Sequence, residues 1–304
     1  MNPGLPFALK AFEPHATVVH GYYHASMLTA LLTASRFSSV FLRGESSFLG
    51  DAYRPRPRIN RFILQGLLRS IDGVAAIGTA NAQFYESLGV PNNRIFMTPY
   101  SVDNDYFRDR VSPESAARTR ASLSIPPDAI VLGFVGKLSD VKGCRELLAA
   151  FERVKATLPG VHLVFVGEGP HGDEIRKRTR SCNRTHVVGF QPQAALATWY
   201  QMFDVFILPS LFEPWGLVVN EAMNFAVPVV VSDRVGAAYD LVEGYQCGWI
   251  FRADDAGSLD AVLRECTSLS STELSRRGRS ALQRVSQWGI AETVSGFESL
   301  VDFA

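Results

Sequence analysis

Short runs of β-branched and other apolar residues, each too brief for a stable helix, alternate along this chain with longer amphipathic stretches. They are ATVVH (16–20), SVFLR (39–43), GVAAI (73–77), RIFMT (94–98), AIVLGFVG (129–136), VHLVFVG (161–167), HVVGF (186–190), VFILPS (205–210), VPVVVSD (227–233) and GWIF (248–251). Most are apolar at successive rather than alternate positions, the pattern of parallel strands covered on both faces. The intervening stretches have helical spacing. In CRELLAAFERVKATLP, residues Leu147, Leu148, Phe151, Val154 and Leu158 share one helical face, and Pro159 and Gly160 close it. Strand–helix–strand repetition of this kind predicts an α/β protein built of doubly wound, Rossmann-like units.

The composition shifts near 108–128, RDRVSPESAARTRASLSIPPD. The expected division is a partial N-terminal unit over 1–110, a linker over 111–127, and a C-terminal nucleotide-binding unit over 128–304. The second unit has six candidate strands and reads as complete. The first has four, which is thin for a free-standing sheet. Thirty basic side chains balance thirty acidic ones, which excludes the electrostatic footprint of a nucleic-acid binder. Cys144, Cys182, Cys247 and Cys266 form no CxxC, so neither a zinc site nor a disulfide framework is expected. The first residues lack the apolar core of a signal peptide, and no apolar run is long enough to span a bilayer. A cytoplasmic protein is expected.

In open parallel sheets, ligands bind at the carboxyl ends of strands. In GFVGKLSDVKG, Gly136 closes a strand and a helix begins near Gly143. Lys142 therefore stands at the positive end of a helix dipole, where a cation is unfavourable unless an anion binds beside it. Lys137 adds a second charge. A solvated surface lysine is the alternative. In VFVGEGPHGDEI, Gly167, Gly169 and Gly172 match the dinucleotide fingerprint G-x-G-x-x-G. Pro170 within the loop, and the lack of an acidic residue at the next strand end, argue instead for a tight turn. In VVGFQPQ, the loop backbone suits a base edge and Phe190 suits stacking; an ordinary core phenylalanine is the other reading.

The stretch SLFEPWGLVVNEAMNFAVPVVVSD carries two carboxylates eight positions apart. Glu213 precedes a proline and belongs to a loop. Glu221 lies about one turn into a helix that is apolar nearly all round, so it needs a partner. A ribose diol can supply one; an internal salt bridge or a wet helix edge would also serve. The free N–H groups near Trp215 to Val218 form an anion site.

The motifs EPWGLVVNEAM, VPVVVSDRVGAAYDLV, FVGKLSDVKG and VGEGP, occurring in the family's order along the chain at the expected strand ends, strongly resemble the retaining glycosyltransferases of family four, with the GT-B fold. The resemblance is strongest over about 128–290, and HGYY, LRGES and RIFMTPYSVDNDYF extend it toward residue 15. It implies carbohydrate biosynthesis: transfer of a sugar from a nucleoside diphosphate sugar to an acceptor hydroxyl, with retention and without a metal or other cofactor. Glu213 and Lys142 are the implied catalytic residues. Gly136, Lys137, Lys142 and the backbone of Gly216, Leu217 and Val218 would hold the diphosphate region, Glu221 the ribose, Glu213 the sugar, and Gly189 and Phe190 the base. The implied acceptor is a glycan or a lipid-linked molecule.

The chain departs from that pattern in two places. The strands and glycine-rich loop with which the family's N-terminal domain opens are not represented, and Gly44 and Glu45 stand near the family's histidine; His20 precedes it. Two further readings follow, a sugar-nucleotide-binding module without turnover and, less favoured, an NAD-linked oxidoreductase. The triplet Asp103–Asp105 looks like a DxD metal motif but falls in the wrong loop for one. The cluster Arg54, Arg56, Arg58 and Arg61 before the amphipathic FILQGLLRSI suits peripheral contact with anionic lipid at the inner membrane face, or an exposed arm before a packed helix.

Overall fold

The computed structural model describes residues 2–53, 58–110 and 113–304. The chain divides into two compact units, one of Met1–Tyr100 with Ile290–Ala304 and one of Ser101–Gly289. Each contains one wholly parallel sheet.

In the first unit the strands are β1 (Ala16–His20), β2 (Ser39–Arg43), β3 (Gly73–Ala76) and β4 (Ile95–Met97), in that spatial order. Every crossover steps the same way, so right-handed connections stack the linking helices on one face. Val40, Leu42 and Val74 point to that face and form a core with Leu31, Leu64, Leu68 and Phe84 from those helices. Because side chains alternate along a strand, Phe41, Ala75 and Phe96 point the other way. The C-terminal helix Ile290–Phe303 covers them with Phe297 and Leu300. It approaches so closely that a Cβ on Gly296 would meet the Met97 carbonyl oxygen at 1.9 Å.

In the second unit the strands are β5 (Ile130–Val135), β6 (Val161–Val166), β7 (Thr185–Gly189), β8 (Val205–Leu208), β9 (Val229–Ser232) and β10 (Gly248–Phe251). Their spatial order is β10-β9-β8-β5-β6-β7. The sequence order reverses between β5 and β8, so the loops leaving these neighbours diverge and leave a crevice at their carboxyl ends. The helix Cys144–Val154 buries Leu147, Leu148, Phe151 and Val154 against this sheet. It gives way to a 3-10 turn at Lys155–Thr157, before Pro159 is reached, and Leu158 is partly buried.

Two domain expectations are corrected. Residues 111–127 are not a bare linker: Pro113–Ser122 is a helix of the second unit. Arg120 anchors it, donating to the Met202 carbonyl at 2.7 Å and to Asp204 at 2.8 Å. The division falls at Tyr100 rather than 110, and residues 290–304 belong to the first unit, because their apolar face completes its sheet. No helix among the described residues is long and apolar enough to cross a membrane.

Candidate functional site

The crevice between β5 and β8 brings together the two expected catalytic residues. The loop after β5 ends in a 3-10 turn, Asp140–Lys142, which delivers Lys142. The loop after β8 delivers Glu213. The Leu211 amide donates to the Val141 carbonyl at 2.9 Å, tying one loop to the other. The Lys142 ammonium is hydrogen-bonded to Glu213 Oε2. On the far side, the Glu213 amide donates to the Arg234 carbonyl at 3.0 Å, and its carbonyl accepts from Gly236. Glu213 is thus fixed by backbone on one side and by a cation on the other. The Lys142 side chain keeps 27% exposure, so a ligand can reach it. Lys137 is exposed on the same loop, with no ion pair among the described residues.

Gly216, at φ 101°, turns the chain into the short helix Leu217–Met223. The amides of Leu217 and Val218 open that helix, where backbone donors lack intrahelical partners. Leu217 is exposed and Val218 half-buried. Glu221 is 9% exposed. Its partner is a phenol: the Tyr200 hydroxyl donates to Oε2 at 2.6 Å. Burial pushes the Glu221 carboxyl above the usual carboxylate range, and the Tyr200 hydrogen bond pulls in the opposite direction. Tyr200 is fully buried, which pushes its phenol well up and keeps it a donor. Tyr200 is the site residue that sequence reasoning missed. A tyrosine in the apolar stretch ATWYQMF reads as core.

Gly136 follows β5, Gly189 ends β7 at the edge of the sheet, and Phe190 follows it with 74% exposure, free of the core that would otherwise explain it. The glycine pattern after β6 has a packing cause. A Cβ on Gly167 would meet the Gly136 carbonyl oxygen at 2.0 Å, and one on Gly169 would meet that of Leu138 at 2.4 Å. These glycines let the loops after β5 and β6 touch, and backbone bonds from Leu138 to Glu168 and from His171 to Leu138 lock them together. His171 Nε2 adds a 2.7 Å bond to Asp140, in the turn that carries Lys142. Asp103, the start of the DxD-like triplet, caps the helix Asn104–Arg108 by accepting from the Tyr106 amide at 2.9 Å.

The first unit carries a separate polar cluster at its strand ends. His20 Nε2 lies 3.1 Å from the Tyr100 hydroxyl, which donates to Glu45 at 2.6 Å. His20 is therefore hydrogen-bonded into this chain of side chains, and Glu45 takes part in it. Of the basic cluster, Arg54, Arg56 and the side chain of Arg58 lie outside the described residues. Arg61 donates to the Ser87 carbonyl at 2.7 Å, while Phe62 and Ile63 beside it are 72% and 67% exposed.

A parallel α/β chain in two units, with charged side chains at the switch point of the second, defines the GT-B class of fold, and solved structures agree. Anabaena HepE in complex with UDP superposes with a TM-score of 0.83 at 18% identity, covering 99% of this chain and 82% of that one. Sucrose-phosphate synthase from Thermosynechococcus elongatus gives 0.76 at 19% identity, covering 96% and 75%. The family of glycosyl transferases group 1 matches residues 115–281, and the chain belongs to it. Among curated relatives, D-inositol 3-phosphate glycosyltransferase of Rhodococcus erythropolis is 27% identical over 281 residues, covering 85% of this chain and 62% of the relative. The Mycobacterium tuberculosis protein of the same name is 27% identical over 300 residues, covering 90% and 59%. The chain thus spans about three fifths of the length of these relatives.

Proposed function

We propose that this protein transfers a sugar from a nucleoside diphosphate sugar to an acceptor hydroxyl, with retention and without a metal. The observation that carries the reading is the meeting of Lys142 and Glu213 at the switch point of a group 1 glycosyl transferase domain. Breaking the bond between the sugar and the diphosphate leaves the electron pair on a phosphate oxygen. Lys142, Lys137 and the backbone donors of Gly216, Leu217 and Val218 are the groups suited to receive that charge; placed donors of this kind stabilise a transition state because they need no reorganisation. The sugar carbon becomes oxocarbenium-like, and Glu213 faces it. The acceptor oxygen bonds to that carbon from the leaving-group side, and its proton passes to the departing phosphate. Glu221 accepts the ribose hydroxyls, and Gly189 and Phe190 take the base, with Gly136 beside the diphosphate.

Uridine diphosphate sugars are the first donors to try, since HepE was solved with UDP and with UDP-glucose. The proposed acceptor is a glycan or lipid-linked hydroxyl compound, and the names of the relatives add D-inositol 3-phosphate. We place the protein in the cytoplasm, a reading supported by four free thiols. Exposed Phe62 and Ile63 on the helix Arg58–Arg69, among arginines, support peripheral contact with an anionic membrane. The test is incubation of the full chain with a panel of nucleoside diphosphate sugars and these acceptors. Release of nucleoside diphosphate with a glycosylated product of unchanged anomeric configuration is expected, in the presence of a chelator. Donor binding without turnover would contradict the transferase reading, and binding of NAD alone would contradict donor binding as well.

A further inference from the structure

We infer that Tyr200 is the positioning residue of this site: its buried hydroxyl holds Glu221 Oε2 and so presents Oε1 to a ligand diol. The inference rests on Glu221 as the ribose-binding residue and adds what makes that role feasible. A glutamate on a short apolar helix has several rotamers and every reason to lose its charge. Neither is left to chance here. Tyr200, on the helix Gln193–Met202, is fully buried, and its ring is fixed from three directions. It stacks on Phe225 at 5.9 Å and 10°, and meets Phe206 and Phe203 nearly edge-on at 5.7 and 6.3 Å. The phenol therefore cannot swing away, and the 2.6 Å bond to Oε2 fixes the carboxylate in turn.

The remaining oxygen is then the accessible one. Oε1 is absent from the buried polar atoms that lack a partner, and no second hydrogen bond to the Glu221 side chain is made among the described residues. The helices Gln193–Met202 and Ser271–Val285 and strands β8 and β9 pack against the helix Leu217–Met223 that carries Glu221. Among the described residues, the titratable group from these elements that acts on its carboxyl is Tyr200, and no cation offsets its charge. Burial drives Glu221 toward the neutral acid, and Tyr200 opposes it. A carboxyl that has gained a proton loses acceptor capacity toward a diol. The hydroxyl thus serves both geometry and protonation.

Tyr200→Phe tests this, because the ring packing stays while the hydroxyl goes. UDP is the probe, titrated calorimetrically into the full chain from roughly pH 5 to 9. Near neutral pH the variant should bind about tenfold more weakly. The acid-side midpoint of binding should also move up by roughly one pH unit. Glu221→Gln should remove that acid limb in either background. Carbon-13 NMR of the Glu221 carboxyl gives the same midpoint with no ligand, and it should shift equally. An unmoved midpoint overturns the inference, even if affinity or melting temperature falls, since a merely structural tyrosine would lower those alone. Failure of wild type to bind any nucleoside diphosphate would contradict the proposed function, while the carboxyl titration would still decide the role of Tyr200.

Discussion

Lys142 and Glu213, 71 residues apart in sequence, form an ion pair across the point where the second sheet reverses its strand order. The pair joins the residue proposed to hold the diphosphate with the residue proposed to face the sugar. A phosphate that engages Lys142 competes with Glu213 for the same ammonium. Glu213→Gln removes the competing charge and keeps the shape. UDP alone should then bind at least as tightly as to wild type, while sugar transfer falls by about a hundredfold or more. Calorimetry and a product assay measure the two separately. Preserved transfer would remove Glu213 from the chemistry.

Phe62 and Ile63 project from a helix whose opposite face, through Leu64 and Leu68, belongs to the core of the first unit. Replacing both exposed residues by aspartate should abolish sedimentation with vesicles containing anionic lipid and leave the melting temperature nearly unchanged. Binding of wild type should weaken as salt is raised, because the arginine contribution is screened. Equal sedimentation of wild type and variant would contradict membrane contact through this helix.

His162 and His186, on neighbouring strands β6 and β7, stack with their rings 11° from parallel and Nδ1 of the first 3.1 Å from Nε2 of the second. Burial lowers the pKa of both below the ordinary imidazole value; Arg184 adds to the effect on His162, and His162 to that on His186. The folded protein therefore binds fewer protons at these sites than the unfolded chain. Stability from the pair is intact above the unfolded value and is lost as pH falls through it toward the lowered folded values. Thermal unfolding of His186→Gln should show a shallower acid-side loss of melting temperature than wild type. An unchanged acid slope would contradict the coupling.

The ten strands among the described residues were legible as apolar runs, because parallel strands buried on both faces leave a local, continuous signal. The site loops were legible for a related reason: charges and glycines at strand ends stand out against apolar runs. What escaped depends on partners distant in sequence. The helix Pro113–Ser122 buries none of its own residues, and Arg120 holds it by contacts to Met202 and Asp204 that no local pattern announces. The helix Ile290–Phe303 is visibly apolar on one face, but nothing in its own residues says which sheet it covers. Glu221 visibly lacked a partner; that the partner is a phenol 21 residues earlier required the packing of two helices.

In the proposed function the crevice between β5 and β8 receives a nucleoside diphosphate through Lys142. The most direct measurement is calorimetric titration of wild type and Lys142→Ala with UDP. A charge-assisted contact of about 1.5–3 kcal/mol predicts that the variant binds tenfold or more weakly. Equal affinity of the two proteins would contradict the claim.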